Sequence, residues 1–582
     1  MSVTFLVLTA IAASAQESGG AAGQRPGAVV SHQLELVRSF AVPFGVSDHK
    51  LVDLDGFNAG VAHELVVLGS CGEVLVFGQQ QAENGAFSFG PDSREPLKLP
   101  DFARSLVDLA QFVGRGGQDL VVLGPRDARV YARKGLSFGP ESVVLSRRAG
   151  HGLRVGAPRF VDIAQDVNGD GAEDLVVPAA DVLRLFLSSV AAKDSAESSP
   201  WPQYAAAATL AVEISKSTET VGKHLSDELS SSFSIPSIVA RDVNGDGRAD
   251  LLVTDGSTRA FHLQSQDGTF PVLASISVDL SIFRDSVEKA ELRPGRTLSM
   301  GEQATYEMRD LDRDGIPDFV IGHRRKVWVF HGTSEGPQFT KPSMIFKTAD
   351  DITTMQLMRL DADDLPDLLL VKVQIPTIAA LVRGIFGDWD VEITAAGYLS
   401  KDGRTFETRP SKRAELAVRL PAILRLIKDP SSFLKRFDEI GARFRRSVWG
   451  DFDGNGARDV VLAGADGRQL EIWLSEDAEA DGSRSLDGEA LLTQLLFEDE
   501  QRVWDLDRIA GWLGGLAERR TALLTGGKPS AAQFPIRPME QARLITIEAA
   551  DLDGDGREEL VLRYELTAGN ACVFDVLRML SK

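Results

Sequence analysis

Short apolar runs recur along this chain, and each follows directly on a crowd of acidic residues. In "DVNGDGRADLLV", Asp242 to Val253, three aspartates and an asparagine precede Leu251-Leu252-Val253. The same switch from acid to apolar occurs in "DVNGDGAEDLVV" from Asp166, "DLDRDGIPDFVI" from Asp310, "DFDGNGARDVVL" from Asp451 and "DLDGDGREELVL" from Asp551. Apolar runs this short, bounded by Asp, Asn and Gly, predict buried strands rather than helices. Around Asp242 the stretches "SIVARDV", "ADLLVTD", "TRAFHLQ" and "PVLASISVDL", with a turn at "SQDGTF", predict four strands. The acidic loop joins the first strand to the second.

Three weaker copies fill the rest of the chain. "RLDADDLPDLLL" from Arg359 keeps Asp361, Asp363 and Asp367 but has Arg at position 1 and Asp364 where Gly stands elsewhere. "DLDGFNAGVAHELVV" from Asp53 has two extra residues before Glu64, and "QFVGRGGQDLVV" from Gln111 keeps only Asp119. The acids at position 9 then fall at 64, 119, 174, 250, 318, 367, 459 and 559, with spacings of 55, 55, 76, 68, 49, 92 and 100 residues. A repeat of this size is one supersecondary unit that buries its apolar face only against its neighbours. The predicted fold is all-β: a β-propeller of four-stranded blades, eight by this count and seven if one degenerate unit is miscounted, with helical insertions.

The oxygen pattern points to calcium, which takes six to eight oxygen ligands from a loop presenting them at alternate positions. Positions 1, 3, 5 and 9 are Asp166, Asn168, Asp170 and Asp174 in one loop and Asp242, Asn244, Asp246 and Asp250 in the next. In the loops from Asp310, Asp451 and Asp551 they are Asp310, Asp312, Asp314 and Asp318, then Asp451, Asp453, Asn455 and Asp459, then Asp551, Asp553, Asp555 and Glu559. Gly at position 6 permits a sharp turn. An EF-hand would need a Glu at position 12 and a following helix, and neither is present. A metal-free Asx turn explains one such loop equally well, but not five copies in one register. About five Ca²⁺ ions are therefore expected, and the three weaker loops are expected to keep the backbone shape without an ion.

These loops, with "DGTF" downstream of Asp242, resemble the FG-GAP/VCBS repeat family, which includes the integrin α-subunit head and many secreted bacterial proteins. The resemblance implies a calcium-binding propeller acting as a binding or adhesion module for a carbohydrate or protein ligand. Some calcium-containing eight-bladed propellers are polysaccharide lyases, so a carbohydrate-active enzyme is the alternative, and a structural surface protein is a third. The chain has no H-E-x-x-H, no G-x-S-x-G and no phosphate-binding glycine loop.

Outside the repeats, "MSVTFLVLTAIAASAQ" reads as a signal peptide cleaved after Ala15, and residues 16–31 read as a flexible linker. A secreted, periplasmic or cell-surface location follows, and no stretch is long enough to span a membrane. The propeller would occupy residues 32–582, with inserts at about 371–446 and 476–540. The formal net charge of −21 argues against nucleic acid as a partner. Two cysteines, Cys71 and Cys572, leave a single bridge open as an option and exclude a disulfide framework. From Lys401 to Arg446 there are 13 Lys and Arg against 6 Asp and Glu, a local excess of +7 on an acidic chain. "HQLELVRSFAVP", His32 to Pro43, alternates like a strand, and the last unit lacks one; pairing there would close the ring. In such a blade the acidic loops lie on one face and the connections between second and third strands on the other. Ligand recognition is expected on that second face.

Overall fold

The computed structural model describes residues 32–581 apart from 55–61, 82–86, 92–94, 113–116, 152–156, 179–181, 190–200, 202, 212–214, 222–227, 235–236, 284–303, 349–351, 364, 375–376, 429–445, 464–467, 477–487, 501, 539 and 568–570. The proposed signal peptide and linker, and most of the basic segment after Lys428, lie outside the described residues.

Among the described residues, eight sheets of at least four strands follow one another along the chain, each built on an antiparallel array whose strands are, but for strands added at the edges, in sequential spatial order. The fourth is typical: Ser237–Arg241, Asp250–Asp255, Thr258–His262 and Ile276–Asp279. Every acidic loop of the sequence connects the first and second strands of a sheet. Second strands such as Glu64–Gly69 and Asp119–Leu123 are buried at every position. That explains their unbroken apolar runs: both faces of each sheet are covered by neighbours, so the period-2 alternation of a half-exposed strand is lost.

The cores lie between successive sheets. Val66 and Leu68 of the first sheet share a cluster with Leu120 and Val122 of the second, and Leu252 and Phe261 of the fourth share one with Phe319 and Phe330 of the fifth. The eighth sheet, in turn, packs on the first through Val561, Phe574 and Val576 against Leu65, Val67 and Phe77. Between the sixth and seventh sheets a helix intervenes. On Leu506–Thr525, Ile509 and Leu513 pack with Val371 and Val391 of the sixth sheet, and Leu524 packs with Val460 and Leu462 of the seventh.

The last sheet takes its fourth strand from the other end of the chain. His32–Val42 runs antiparallel to Cys572–Ser581, from His32 opposite Ser581 to Val42 opposite Cys572, with one bulge between Leu36 and Arg38. The alternation read from the sequence thus has its partner. Both cysteines are free thiols, Cys71 exposed and Cys572 buried, so the bridge left open above is not formed.

The insert regions resolve into distinct parts. Within 371–446, Trp389–Tyr398 and Lys412–Leu420 are the third and fourth strands of the sixth sheet. The added elements there are the helices Ile378–Phe386 and Ile423–Lys428, which contact each other. The second insert joins the third and fourth strands of the seventh sheet, yet its Val503–Asp505 adds a fifth, parallel strand to Lys412–Leu420 of the sixth. A hairpin, Ser215–Val221 with Glu228–Ser234, lies between the third and fourth sheets and accounts for the long spacing there. No described helix is long and apolar enough to cross a membrane.

Removing residues 32–43 should leave Cys572–Ser581 as a bare edge beside a half-covered core. Melting should then fall for the whole protein, as a single transition at least 5 °C lower. A truncated chain that melts like the parent would show that this pairing adds nothing to stability.

Candidate metal centres

Each intact loop is wrapped around its position-1 aspartate. Asp242 Oδ1 accepts from Gly245 N–H (2.7 Å) and Oδ2 from Gly247 N–H (2.8 Å). Asp166, Asp451 and Asp551 accept from the corresponding glycines in the same way, all between 2.7 and 2.9 Å. Position 5 then turns the chain: Asp246 Oδ1 accepts from Arg248 N–H and Asn455 Oδ1 from Ala457 N–H. Gly247 sits at φ 81° and Gly456 at φ 80°, where a side chain would be strained, so Gly at position 6 is a backbone requirement. At position 4 of the loop from Asp310, Arg313 takes φ 62° where the other intact loops have Gly.

The position-9 acid has a second job that the sequence concealed. Asp250 Oδ2 accepts from Val243 N–H (3.1 Å) inside the loop, and Oδ1 accepts from Gln264 N–H (2.8 Å) just after the third strand. Asp174, Asp318 and Asp459 are held alike, the last by Phe452 N–H (2.9 Å) and Ser475 N–H (2.8 Å). So is Asp367 in the weak sixth loop, by Leu360 N–H (2.8 Å) and Ser400 N–H (2.7 Å). In the first two units Glu64 accepts from Leu54 N–H and Asp119 from Arg133 N–H. This acid is kept in all eight units because it satisfies buried backbone donors, whether or not the loop has the other ligands. Each oxygen retains a second lone pair for a metal.

Burial is the main cause of a raised pKa at Glu64, Asp174, Asp250, Asp367, Asp459 and Glu559, and the neighbouring aspartates add to it. Asp174 is pushed up to about 6, Asp459 to about 7 and Glu559 to about 8. A divalent cation among these carboxylates would favour the ionised forms and release the protons.

Among the described residues, three groups bring one oxygen from each acid within 4.8 Å of the others: Asp310, Asp312 and Asp318; Asp451, Asp453 and Asp459; Asp551, Asp553 and Glu559. Each of these could hold a metal ion. Asp310 Oδ1 is moreover buried with no hydrogen-bond partner, as expected of a ligand atom. The loops at Asp166 and Asp242 carry Asn168 and Asn244 at position 3, whose amides donate to Asp170 and Asp246.

Several contacts at the loops escape sequence reading because they come from elsewhere in the chain. Gln264 Nε2 donates to Asn168 O, tying the fourth sheet to the acidic loop of the third sheet. His331 Nδ1 lies 3.0 Å from Asp318 Oδ1, and that hydrogen bond raises the histidine pKa. Arg404, between the third and fourth strands of the sixth sheet, reaches Asp312 at 2.9 Å. Arg359, at position 1 of the sixth loop, pairs with Glu489 of the second insert through Nε (3.2 Å), while Glu489 also accepts from Arg359 N–H. A cation at a ligand position has become the anchor for the inserted helices.

Residues 310–370 match the family model described as an FG-GAP-like repeat. That stretch of the chain is similar to an FG-GAP-like repeat. The matched segment runs from the first ligand of the fifth acidic loop into the second strand of the sixth sheet, so the FG-GAP-like signal begins on Asp310 itself. No curated protein matches the chain. Among solved structures, a lectin from Agrocybe aegerita is 16% identical, with 64% of this chain and 80% of that one covered, at a TM-score of 0.27. A humanised Polycomb Repressive Complex 2 from Chaetomium thermophilum is 9% identical over 93% and 97%, at 0.28.

Asp367→Ala should cost about 2–4 kcal/mol, because it strands two buried amides, while Asp361→Ala should be nearly neutral. Urea unfolding with and without calcium checks this. Equal losses for the two variants would remove the clip role from position 9.

Proposed function

We propose that the eight sheets are blades of a calcium-stabilised β-propeller, and that the protein is a secreted or surface-exposed binding module for a carbohydrate or protein ligand. One observation carries this reading: five loops with the same oxygen pattern occupy the same strand connection in the third, fourth, fifth, seventh and eighth sheets, and the last sheet is completed by His32–Val42. A radial array of that kind protects its edges by repetition, and repeated loops on one end make a rigid frame for variable loops at the other.

Calcium is the structural partner in this proposal, held by loops of the kind found at Asp166, Asp242, Asp310 and Asp451. Modest affinity suffices outside cells, where free calcium is on the order of millimolar. The residues binding the ligand belong to the face opposite these loops. Support comes from the connection between second and third strands of the sixth sheet, where Ile378–Phe386 presents Val382 and Phe386 at 55% and 80% exposure. The excess of Lys and Arg between 401 and 446 lies in the same part of the sequence.

Two outcomes test the reading. At about 5 mM Ca²⁺ and a dissociation constant of about 0.1 mM, each occupied loop adds about 2 kcal/mol to stability by mass action. Melting should therefore rise by several degrees with calcium and return to the apo value with EDTA; coincident curves would overturn the metal assignment. Replacing residues 421–446 by a short Gly/Ser linker should abolish binding on a glycan array and keep the calcium response. Binding that survives the replacement would move the ligand site elsewhere.

A further inference from the structure

The eighth acidic loop matches the oxygen pattern as fully as any other, but it already contains a cation. Arg578 projects from Cys572–Ser581, the third strand of its own sheet, one residue beyond the pair formed by Leu560 and Leu577. Its guanidinium meets three carboxylates of the loop: Nη1 lies 3.0 Å from Asp553 Oδ2, Nη2 pairs with Asp555 Oδ2, and Nε lies 3.5 Å from Glu559 Oε1. Those three acids hold positions 3, 5 and 9. We infer that Arg578 takes the place of calcium in this loop, so that the eighth site is closed by the chain's own charge and the protein binds one ion fewer than its loops advertise.

The position-9 acid gives the independent observation. In the third to seventh sheets one oxygen of this residue is capped by a backbone N–H at or just beyond the end of the third strand. Glu559 keeps only the inner bond, from Leu552 N–H at 2.8 Å. Its Oε1 accepts no hydrogen bond, is buried, and faces Arg578 instead. The third strand of this sheet continues past the loop to pair with His32–Val42, and Arg578 stands opposite Glu35 in that pairing. The amide that caps the other loops is therefore replaced by a side chain, and the side chain is a cation.

The other cations near acidic loops differ in number and place of contacts. Arg404 reaches one acid, Asp312, from a side chain that is 66% exposed. Arg248 pairs only with Asp246 of its own loop. Neither bridges positions 3, 5 and 9. Arg578 bridges all three at 22% exposure, beside a Glu559 side chain with none. A planar guanidinium with five donors suits several carboxylates at once, and a calcium ion cannot share their oxygens while it is there. Arg578 must swing out before the ion can enter, leaving the closing strand without its tie to the loop.

This inference rests on the calcium reading above, and the experiment separates the two. Calcium bound per full-length chain would be counted by equilibrium dialysis and atomic emission at about 5 mM. The wild type should hold four ions and Arg578→Gln five. Asp553→Asn, which leaves the arginine in place if the first variant folds poorly, should still hold four, whereas Asp453→Asn should drop to three. Five ions in the wild type, no gain in Arg578→Gln, or a loss in Asp553→Asn would each overturn the inference while leaving calcium binding intact. A wild type that binds none would overturn both.

Discussion

A buried carboxylate that receives backbone amides organises every unit of this protein, and in five of them the amides come from two directions. At position 9 the acid accepts from within the acidic loop and, in the third to seventh sheets, from a residue at or just beyond the end of the third strand. It thereby fixes the loop, the start of the second strand and the end of the third in one arrangement. Taking such a group out of water is costly unless its oxygens are filled, and here they are filled by groups that would otherwise be orphaned themselves. The raised pKa of Asp367, in a loop whose first ligand position is an arginine, shows that the clip is kept even where burial disfavours its charge.

In the proposed reading, metal ligation is laid over this clip rather than being its origin. Loops that retain Asp or Asn at positions 1, 3 and 5 can add an ion; those that lose them keep the fold. Freed from ligation, a position can do other work. In the sixth loop Arg359 holds Glu489, and through it the insert whose helix Leu506–Thr525 fills the space between two sheets. In the eighth, the guanidinium of Arg578 lies among the acids themselves.

The repeat, its strand connections and the fourth strand borrowed from residues 32–42 were legible in the sequence because they rest on local pattern: acid clusters at alternate positions, Gly at position 6, and alternation along "HQLELVRSFAV". The long-range partners were not, since Gln264, Arg404 and Glu489 are 96, 92 and 130 residues from what they bind. Arg578 left a visible trace, a lone cation in the apolar run "VFDVLRML", but only the pairing shows which carboxylates it meets. The hairpin of Ser215–Val221 and Glu228–Ser234 was hidden by its composition, rich in serine and poor in the large apolar residues by which strands are recognised.

Joining His32–Val42 to Cys572–Ser581 imposes an order on biosynthesis. The first strand to be made is among the last to find its neighbour, because its partner emerges more than 500 residues later. Closing so long a loop is not prohibitive, since the entropic cost grows only with the logarithm of its length. Until then the nascent chain carries an unpaired strand at one end and a sheet lacking its edge at the other, each an open template for pairing with another chain. Interlocked oligomers formed by exchange of the terminal strand are thus the characteristic misassembly this architecture invites, and crowding of many nascent chains is the condition that favours it.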